Sequence, residues 1–433
     1  MVKSRVEVLH RNLGPSSIWN QSGEVPRLSP DKARHLIDTL GCEFDGGGSF
    51  APGDGEAWGL FKVALDLYPR VLLLNTDLLE VQAITAMIQG KIISEAARVA
   101  QRAFLNKAST SSDATIRSRA FWVVYYIEKT VTFHHGTTSF IVDCDIGSPI
   151  PIVQEAVFGD FDWFLTSVRF ARLYSRTFTD LFSISATTNS KTAYLAKIHE
   201  LEMLLEQQCQ MIPPQFQPGT KLRPQTFSHP CEIAAALRVH YHYHELKIAL
   251  HRLKLHVTRG QSSSQSPSDI IEMMNSARAV IDLTRVIYQE SSTPFFIMIF
   301  MPLTALFILF DLIIHYPAHH DARSNLVLLE SVTGYFSALE YATSGYLPGS
   351  MLIQFASIAR AFHSSSQRAH VEDINSGNSG MGITLDHPTP ETLGTGSSTN
   401  SQMPWESRLT PGLEIMDLFG GPLLGVDFFS ASN

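Results

Sequence analysis

An all-α fold is expected for this chain, on three observations. Apolar residues recur at helical spacing along most of residues 57–345, no strand-like alternation is sustained, and a hydrophobic fraction of 44% against 17% charged residues suits a substantial core. The 433 residues are enough for one large domain or two. The reading is a large multi-helix body over residues 57–362, preceded by an extension over 1–56 and followed by a disordered tail over 363–433.

Within the extension, Ser29 as N-cap and Pro30 in the first turn start a short helix through Ala33, Leu36, Ile37 and Leu40 that stops at Gly41. A glycine-rich linker follows from Asp45 to Glu56; no Lys-Ser/Thr follows its glycines, so it is not a phosphate loop. From Ala57 to Leu105 three apolar stripes follow, the last through Ile92, Ala96, Val99 and Ala100. Ala108 to Ala114 is a polar loop.

The next stretch runs from Arg117 to Pro151. Phe121, Trp122, Val124, Tyr125 and Val131 predict a helix with a buried face, and Glu128-Lys129 interrupts the apolar run and predicts a wet side. Gly136 is placed to end the helix in a left-handed cap. Ser139 to Ile146 reads as extended chain with Asp143 and Asp145 on one side, and Pro149 and Pro151 fix a rigid exit.

Further helices are expected over Asp160–Phe182, Lys191–Met211, Cys231–Val257, Asp269–Tyr288, from Phe295, and over Asn325–Ala342, with a serine-rich loop from Gln261 to Ser268. The segment from Phe295 to Ile314 is long enough to span a membrane, but Pro302 and Asp311 lie inside it and no cationic flank follows. It is read as a helix buried on all sides, and no membrane association is expected. The N-terminus lacks the apolar run of a signal peptide. At about Ser364 the composition turns to serine, glycine, threonine, asparagine and proline, which cannot bury enough apolar surface to offset ordering. Near the end, Leu413 to Phe429 mixes acidic with bulky apolar residues. An acidic activation segment has this character, and so does a terminal segment that packs back on the body.

The order of features around Trp122 resembles the middle homology region in the regulatory domain of fungal zinc-cluster transcription factors. The pattern is carried by Arg117, Arg119, Phe121, Trp122, Tyr125, Glu128, Lys129, Gly136, Asp143, Asp145, Ile146, Pro149 and Pro151, with no gap from Gly136 to Pro151. Gly147 and Ser148 stand where an acidic and an apolar residue are usual, and Thr137-Thr138 replaces Arg-Pro. A second anchor is Tyr241-His242 with Leu250-His251-Arg252, where Leu253 replaces the usual proline. Weaker similarities lie in Leu79 to Ala83, in Ala171-Arg172-Leu173-Tyr174-Ser175 and in Ser276 to Ala279.

The resemblance implies an all-helical regulatory domain, a nuclear location and control of a metabolic or secondary-metabolite gene set. The implied partners are the transcription machinery or a DNA-binding partner protein, with a small molecule or another protein as effector. The DNA-binding module of such factors needs six closely spaced cysteines, whereas Cys42, Cys144, Cys209 and Cys231 are far apart without a C-x-x-C pair. Autonomous DNA contact is therefore not expected. A truncated paralogue acting through or against a partner, and an incomplete gene model, both fit that pattern. The net charge of −8 agrees, and the nearest basic segment, Lys247 to Lys254, reads as a solvated helix face.

The remaining chemistry is weighed on the residues themselves. His240 and His244 share a helical face and could offer a metal two ligands, without a third in view. His134-His135 and His319-His320 are adjacent pairs whose rings would point apart on a helix. Asp143 and Asp145 read as loop carboxylates that accept backbone hydrogen bonds or pair with Arg117 or Arg119, rather than as an acid–base pair. Their charges disfavour a thiolate at Cys144. No catalytic, cofactor-binding or metal-binding residue is assigned, and no cofactor is expected. The reading is a non-enzymatic regulator. An all-α enzyme or small-molecule-binding protein is the alternative.

Overall fold

The computed structural model describes residues 92–377, apart from 259–266, 290–292, 294, 295, 318, 346 and 348. The expected helix from Ser29, the glycine-rich linker, the first two stripes after Ala57 and the acidic-apolar segment from Leu413 lie outside the described residues. The fold is all-α: helices dominate the described residues. In chain order these are α1 (Ile92–Arg102), α2 (Ala114–His135), α3 (Trp163–Thr177), α4 (Lys191–Gln210), α5 (Pro230–Thr258), α6 (Pro267–Leu283), α7 (Met301–His315), α8 (Ala322–Ala342) and α9 (Ile353–Gly377). Each packs on its successor, and α3 also meets α5, α6 meets α8 and α7 meets α9.

A two-residue antiparallel ladder, β1 (Val157–Phe158) with β2 (Phe161–Asp162), precedes α3. It shortens the helix expected from Asp160. Gly159 turns the ladder at φ +64°, Phe161 stacks on Phe216 at 4.1 Å, and the Asp162 carboxylate caps α3 by accepting from the Leu165 N–H at 2.9 Å. Past Thr177 the chain continues as a π-turn over Phe178–Phe182. Gly136 ends α2 as expected, at φ +62°, with its N–H and that of Thr137 donated to the carbonyls of Phe133 and Thr132.

Two apolar cores result. One lies between α1, α2 and the start of α3 and centres on Phe121, Trp122 and Tyr125; the larger runs from α3 through α9. α7 belongs to the larger core. Leu306, Leu309 and Ile313 are fully buried, Pro302 follows a π-turn over Phe296–Phe300 whose Met298 carbonyl accepts from the Tyr335 hydroxyl at 2.7 Å instead, and the exposed Asp311 pairs with His315 at 3.1 Å. With the π-turn that leads into it, the stretch Phe296–His315 is long and apolar enough to cross a membrane, but in this fold it is a core helix.

A later boundary also differs from expectation. α9 runs on to Gly377, past Ser364, because apolar positions such as Ala356 and Ala359 anchor its first half against α7 and α8 and propagation is cheap once a helix is started. At Gly349 a Cβ would collide with the Phe336 carbonyl oxygen on α8. Gly349→Ala is therefore expected to lower stability by about 1–3 kcal/mol, read as a lower thermal midpoint.

Candidate functional site

The site is built outward from Trp122 on α2. Its indole is fully buried, edge-on to Phe121 and Tyr125 at 5.2 and 5.1 Å, and its Nε1–H donates to the Pro149 carbonyl at 2.9 Å. The proline-locked exit is thus tied to the helix 27 residues upstream.

Glu128 and Lys129 do the same for the acidic loop, and this corrects the sequence expectation. They are buried, at 0% and 3% exposure, instead of forming a wet side. The Glu128 carboxylate accepts from the Phe140 N–H at 2.7 Å and the Ser139 hydroxyl at 2.9 Å. Lys129 Nζ donates to the Ser139 hydroxyl at 2.7 Å and the Ile141 carbonyl at 2.5 Å, and lies 3.4 Å from Asp143. Burial raises the Glu128 pKa; the hydrogen bonds and Lys129 oppose that rise. A charged pair in an apolar run is stable here because the loop satisfies each atom.

The loop is not extended as expected. Residues Asp143–Asp145 form a 3₁₀ turn, drawn in by the Tyr125 hydroxyl, which donates to Asp143 at 2.9 Å, and by Asn106, whose Nδ2 donates to the Asp145 carbonyl at 2.8 Å. Burial first and then Asp143 raise the Tyr125 pKa, so the hydroxyl remains a donor. Neither aspartate pairs with the expected arginines. Arg117 donates to the Ala103 carbonyl at 2.7 Å and Arg119 lies 3.3 Å from Glu155. Cys144 is exposed on this turn.

Between the loop, the C-terminal half of α2, and α3 with its π-turn opens a cleft of about 760 Å³. Ile141, Val142, Ile146 and Phe178 supply apolar wall; Ser139, Ser175, Thr179 and Ser183 supply hydroxyls. Its charged groups are Lys129, Arg172 and Arg176 against Asp143 and Asp180. Lys129 is held by Asp143, and Arg176 by Asp180 at 3.4 Å and by Glu200. Arg172 instead lies over the Trp122 ring, 5.0 Å from its centroid. The volume lies within the range of small-molecule sites.

Behind the Tyr174 wall runs a buried polar chain that sequence reasoning missed. The Tyr126 hydroxyl meets His242 Nε2 at 2.8 Å and His242 Nδ1 meets the Tyr174 oxygen at 2.9 Å. Tyr174 donates to Glu245, whose other oxygen meets His134 Nδ1. Proton counting fixes the roles. Tyr174 spends its hydrogen on the carboxylate, so His242 donates through Nδ1 and accepts from Tyr126 at Nε2. A neutral ring fits, because burial, then His134 and Arg238, hold the His242 pKa well below its ordinary value. The chain bolts α2, α3 and α5 together. Its contacts span 116, 68 and 71 residues, and the only local hint was the Tyr241-His242-Tyr243 phrase.

The histidine and cation clusters resolve as follows. His240 and His244 are buried with rings 6.5 Å apart, and neither joins a group of three ligands among the described residues. His319 and His320 lie in a turn instead of on a helix, so their rings meet at 4.3 Å beside Asp321, which Arg278 holds at 3.2 Å. Glu202, His251 and Asp269 also converge, but Lys254 Nζ sits 2.8 Å from the Asp269 oxygen that His251 Nδ1 meets at 2.9 Å. Burial lowers the Lys254 pKa, yet Asp269 and Glu202 outweigh it and the net shift is upward, so the lysine fills the cation's place. Lys247 lies 2.6 Å from Glu272 on α6. The basic segment from Lys247 to Lys254 is thus an ion-paired helix face.

No family model matches the chain, and no solved structure matches it. Two curated relatives are ABC-transporter-regulating transcription factors, of Aspergillus oryzae and Aspergillus fumigatus; each is 26% identical over 329 aligned positions covering 66% of this chain and 36% of the relative. An uncharacterised transcriptional regulatory protein of Schizosaccharomyces pombe is 23% identical over 175 positions, covering 36% of this chain and 22% of the relative. The chain thus spans about a third of the length of the first two (36%), and what it resembles, across two thirds of its own sequence, is part of a fungal transcription regulator.

Proposed function

We propose that this chain is a transcription regulator of the fungal zinc-cluster family, acting in the nucleus through its helical body as a regulatory domain. The observation that carries the reading is how the family-like segment is used. Trp122, Tyr125, Glu128 and Lys129 each reach forward to the Ser139–Pro149 loop, so the residues of the resemblance form one packed unit. The 26% identity to named transcription factors supports the same reading.

The cleft beside this unit is its effector site. A ligand there would touch both the loop and the Tyr174 wall, and through the buried chain reach α5. Its carboxylates are spent on Lys129, Tyr125 and Arg176, and no histidine lines it, which supports binding over bond-making. The chain makes no direct DNA contact of its own and works through a DNA-binding partner or the transcription machinery. It controls a metabolic or secondary-metabolite gene set, and because two relatives are named for regulating ABC transporters, transporter genes are the first targets to test.

Tethering the full chain to an unrelated DNA-binding domain is expected to change reporter output, up or down, relative to that domain alone. Thr179→Trp, which fills the cleft from an exposed position, is expected to alter that output while the protein stays folded. A silent reporter with folded, nuclear protein would sink the regulator reading.

A further inference from the structure

We infer that the cleft takes an amphipathic small molecule with a carboxylate, anchored by the Arg172 guanidinium with its apolar body against Phe178, Ile146 and Val142. This rests on the reading of the cleft as a ligand site and goes further by assigning the ligand's charge.

The argument is one of charge and of spare donors. Three cations and two carboxylates line the cleft, and four of the five are paired with one another: Lys129 with Asp143, Arg176 with Asp180. Arg172 is the cleft cation left without a carboxylate beside it, Arg176 being held by Glu200 as well. Among the described residues it has no carboxylate at ion-pair distance and no hydrogen bond; it lies over the Trp122 face at 5.0 Å and within electrostatic reach of the Tyr125 hydroxyl. The ring lies on one side of the guanidinium, and the exposed side chain keeps its N–H donors free. A planar guanidinium fork with free donors is suited to grip a carboxylate by two parallel hydrogen bonds. The hydroxyls of Ser139, Ser175 and Thr179 offer secondary polar contacts, and the apolar wall favours a hydrocarbon body over a compact polyanion. A cationic ligand would have to displace Lys129 or Arg176 from its carboxylate.

The test uses three probes with one alkyl chain and different heads, decanoate, decanol and decylammonium, titrated calorimetrically into the full chain at neutral pH. Decanoate is expected to bind at least about tenfold more tightly than decanol, and decylammonium more weakly than both. Arg172→Met should abolish the acid–alcohol difference while decanol still binds. Arg172→Lys, which keeps the charge and loses the fork, should fall between, and it carries the test if the methionine variant does not fold. Thr179→Trp should remove binding of all probes. Equal affinity for acid and alcohol, both lost in Thr179→Trp, overturns the carboxylate inference and leaves the cleft a ligand site. A preference for acid that survives in Arg172→Met also overturns it. No binding, or binding indifferent to Thr179→Trp, overturns both the inference and the effector cleft.

Discussion

Trp122→Asp is expected to abolish folding of the helical body. The indole is at 0% exposure, and removing a buried Trp side chain alone costs about 3–5 kcal/mol. The new carboxylate would sit at the bottom of the vacated space, beside Phe121 and Tyr125, with no donor now directed at it. Burying it adds a penalty of several kcal/mol. Arg172 lies 5.0 Å above the ring and would have to leave water to reach it, so pairing would trade one desolvation for two. The sum matches or exceeds the roughly 5–15 kcal/mol by which a domain is stable. Trp122→Phe is the matched control. It keeps an aromatic body and loses the hydrogen bond to the carbonyl of the exposed Pro149, a net cost of about 0.5–1.5 kcal/mol. Thermal unfolding followed by circular dichroism checks both. A cooperative transition of Trp122→Asp near the native midpoint would mean that this core is not what holds the body together.

The parts of this fold legible in the sequence are those encoded locally. Helical spacing located α2 and α7, Gly136 marked a helix end, and the apolar run from Phe295 read correctly as a buried helix because Pro302 and Asp311 suit the step from a π-turn and an exposed position. What failed depended on contacts distant in sequence. Glu128 and Lys129 look solvent-facing because a charge in an apolar run is cheapest in water. Only the loop folding back from Ser139 to Asp143 makes burial tolerable, and nothing at 128 or 129 signals that return. The 3₁₀ turn at Asp143 was missed for the same reason, since its anchors are Tyr125 and Asn106. The cleft is the extreme case. In the sequence Arg172 stands out only within the Ala171 to Ser175 phrase, and the carboxylates on its neighbours come from a different turn and, in part, a different helix.

Lowering the pH from about 6.5 towards 4 is expected to unfold the protein more steeply than its carboxylates alone would. His240, His242 and His244 are all under 5% exposed on α5. Burial holds His240 at about 4 and His244 at about 3, the latter also opposed by His240 and Lys247, and holds His242 well below the usual value. His240 Nε2 and both His244 nitrogens have no hydrogen-bond partner, so no carboxylate there rewards protonation. In the unfolded chain all three would take a proton near 6.5. Between that value and the folded pKa values the unfolded state binds more protons, so stability falls with pH, by up to about 1.4 kcal/mol per pH unit for each histidine. Glu128 acts in the opposite sense: burial raises its pKa, so folding favours its protonation as the pH drops, but it is one group against three. Together the histidines remove about 4 kcal/mol per pH unit, enough to exhaust an ordinary domain within a few units. Denaturant titrations at stepped pH measure this slope. His240→Leu with His244→Leu should cut it by about two thirds without stranding a hydrogen-bond partner of His244. An unchanged slope in the double variant would show that these rings are not the groups that make the fold acid-labile.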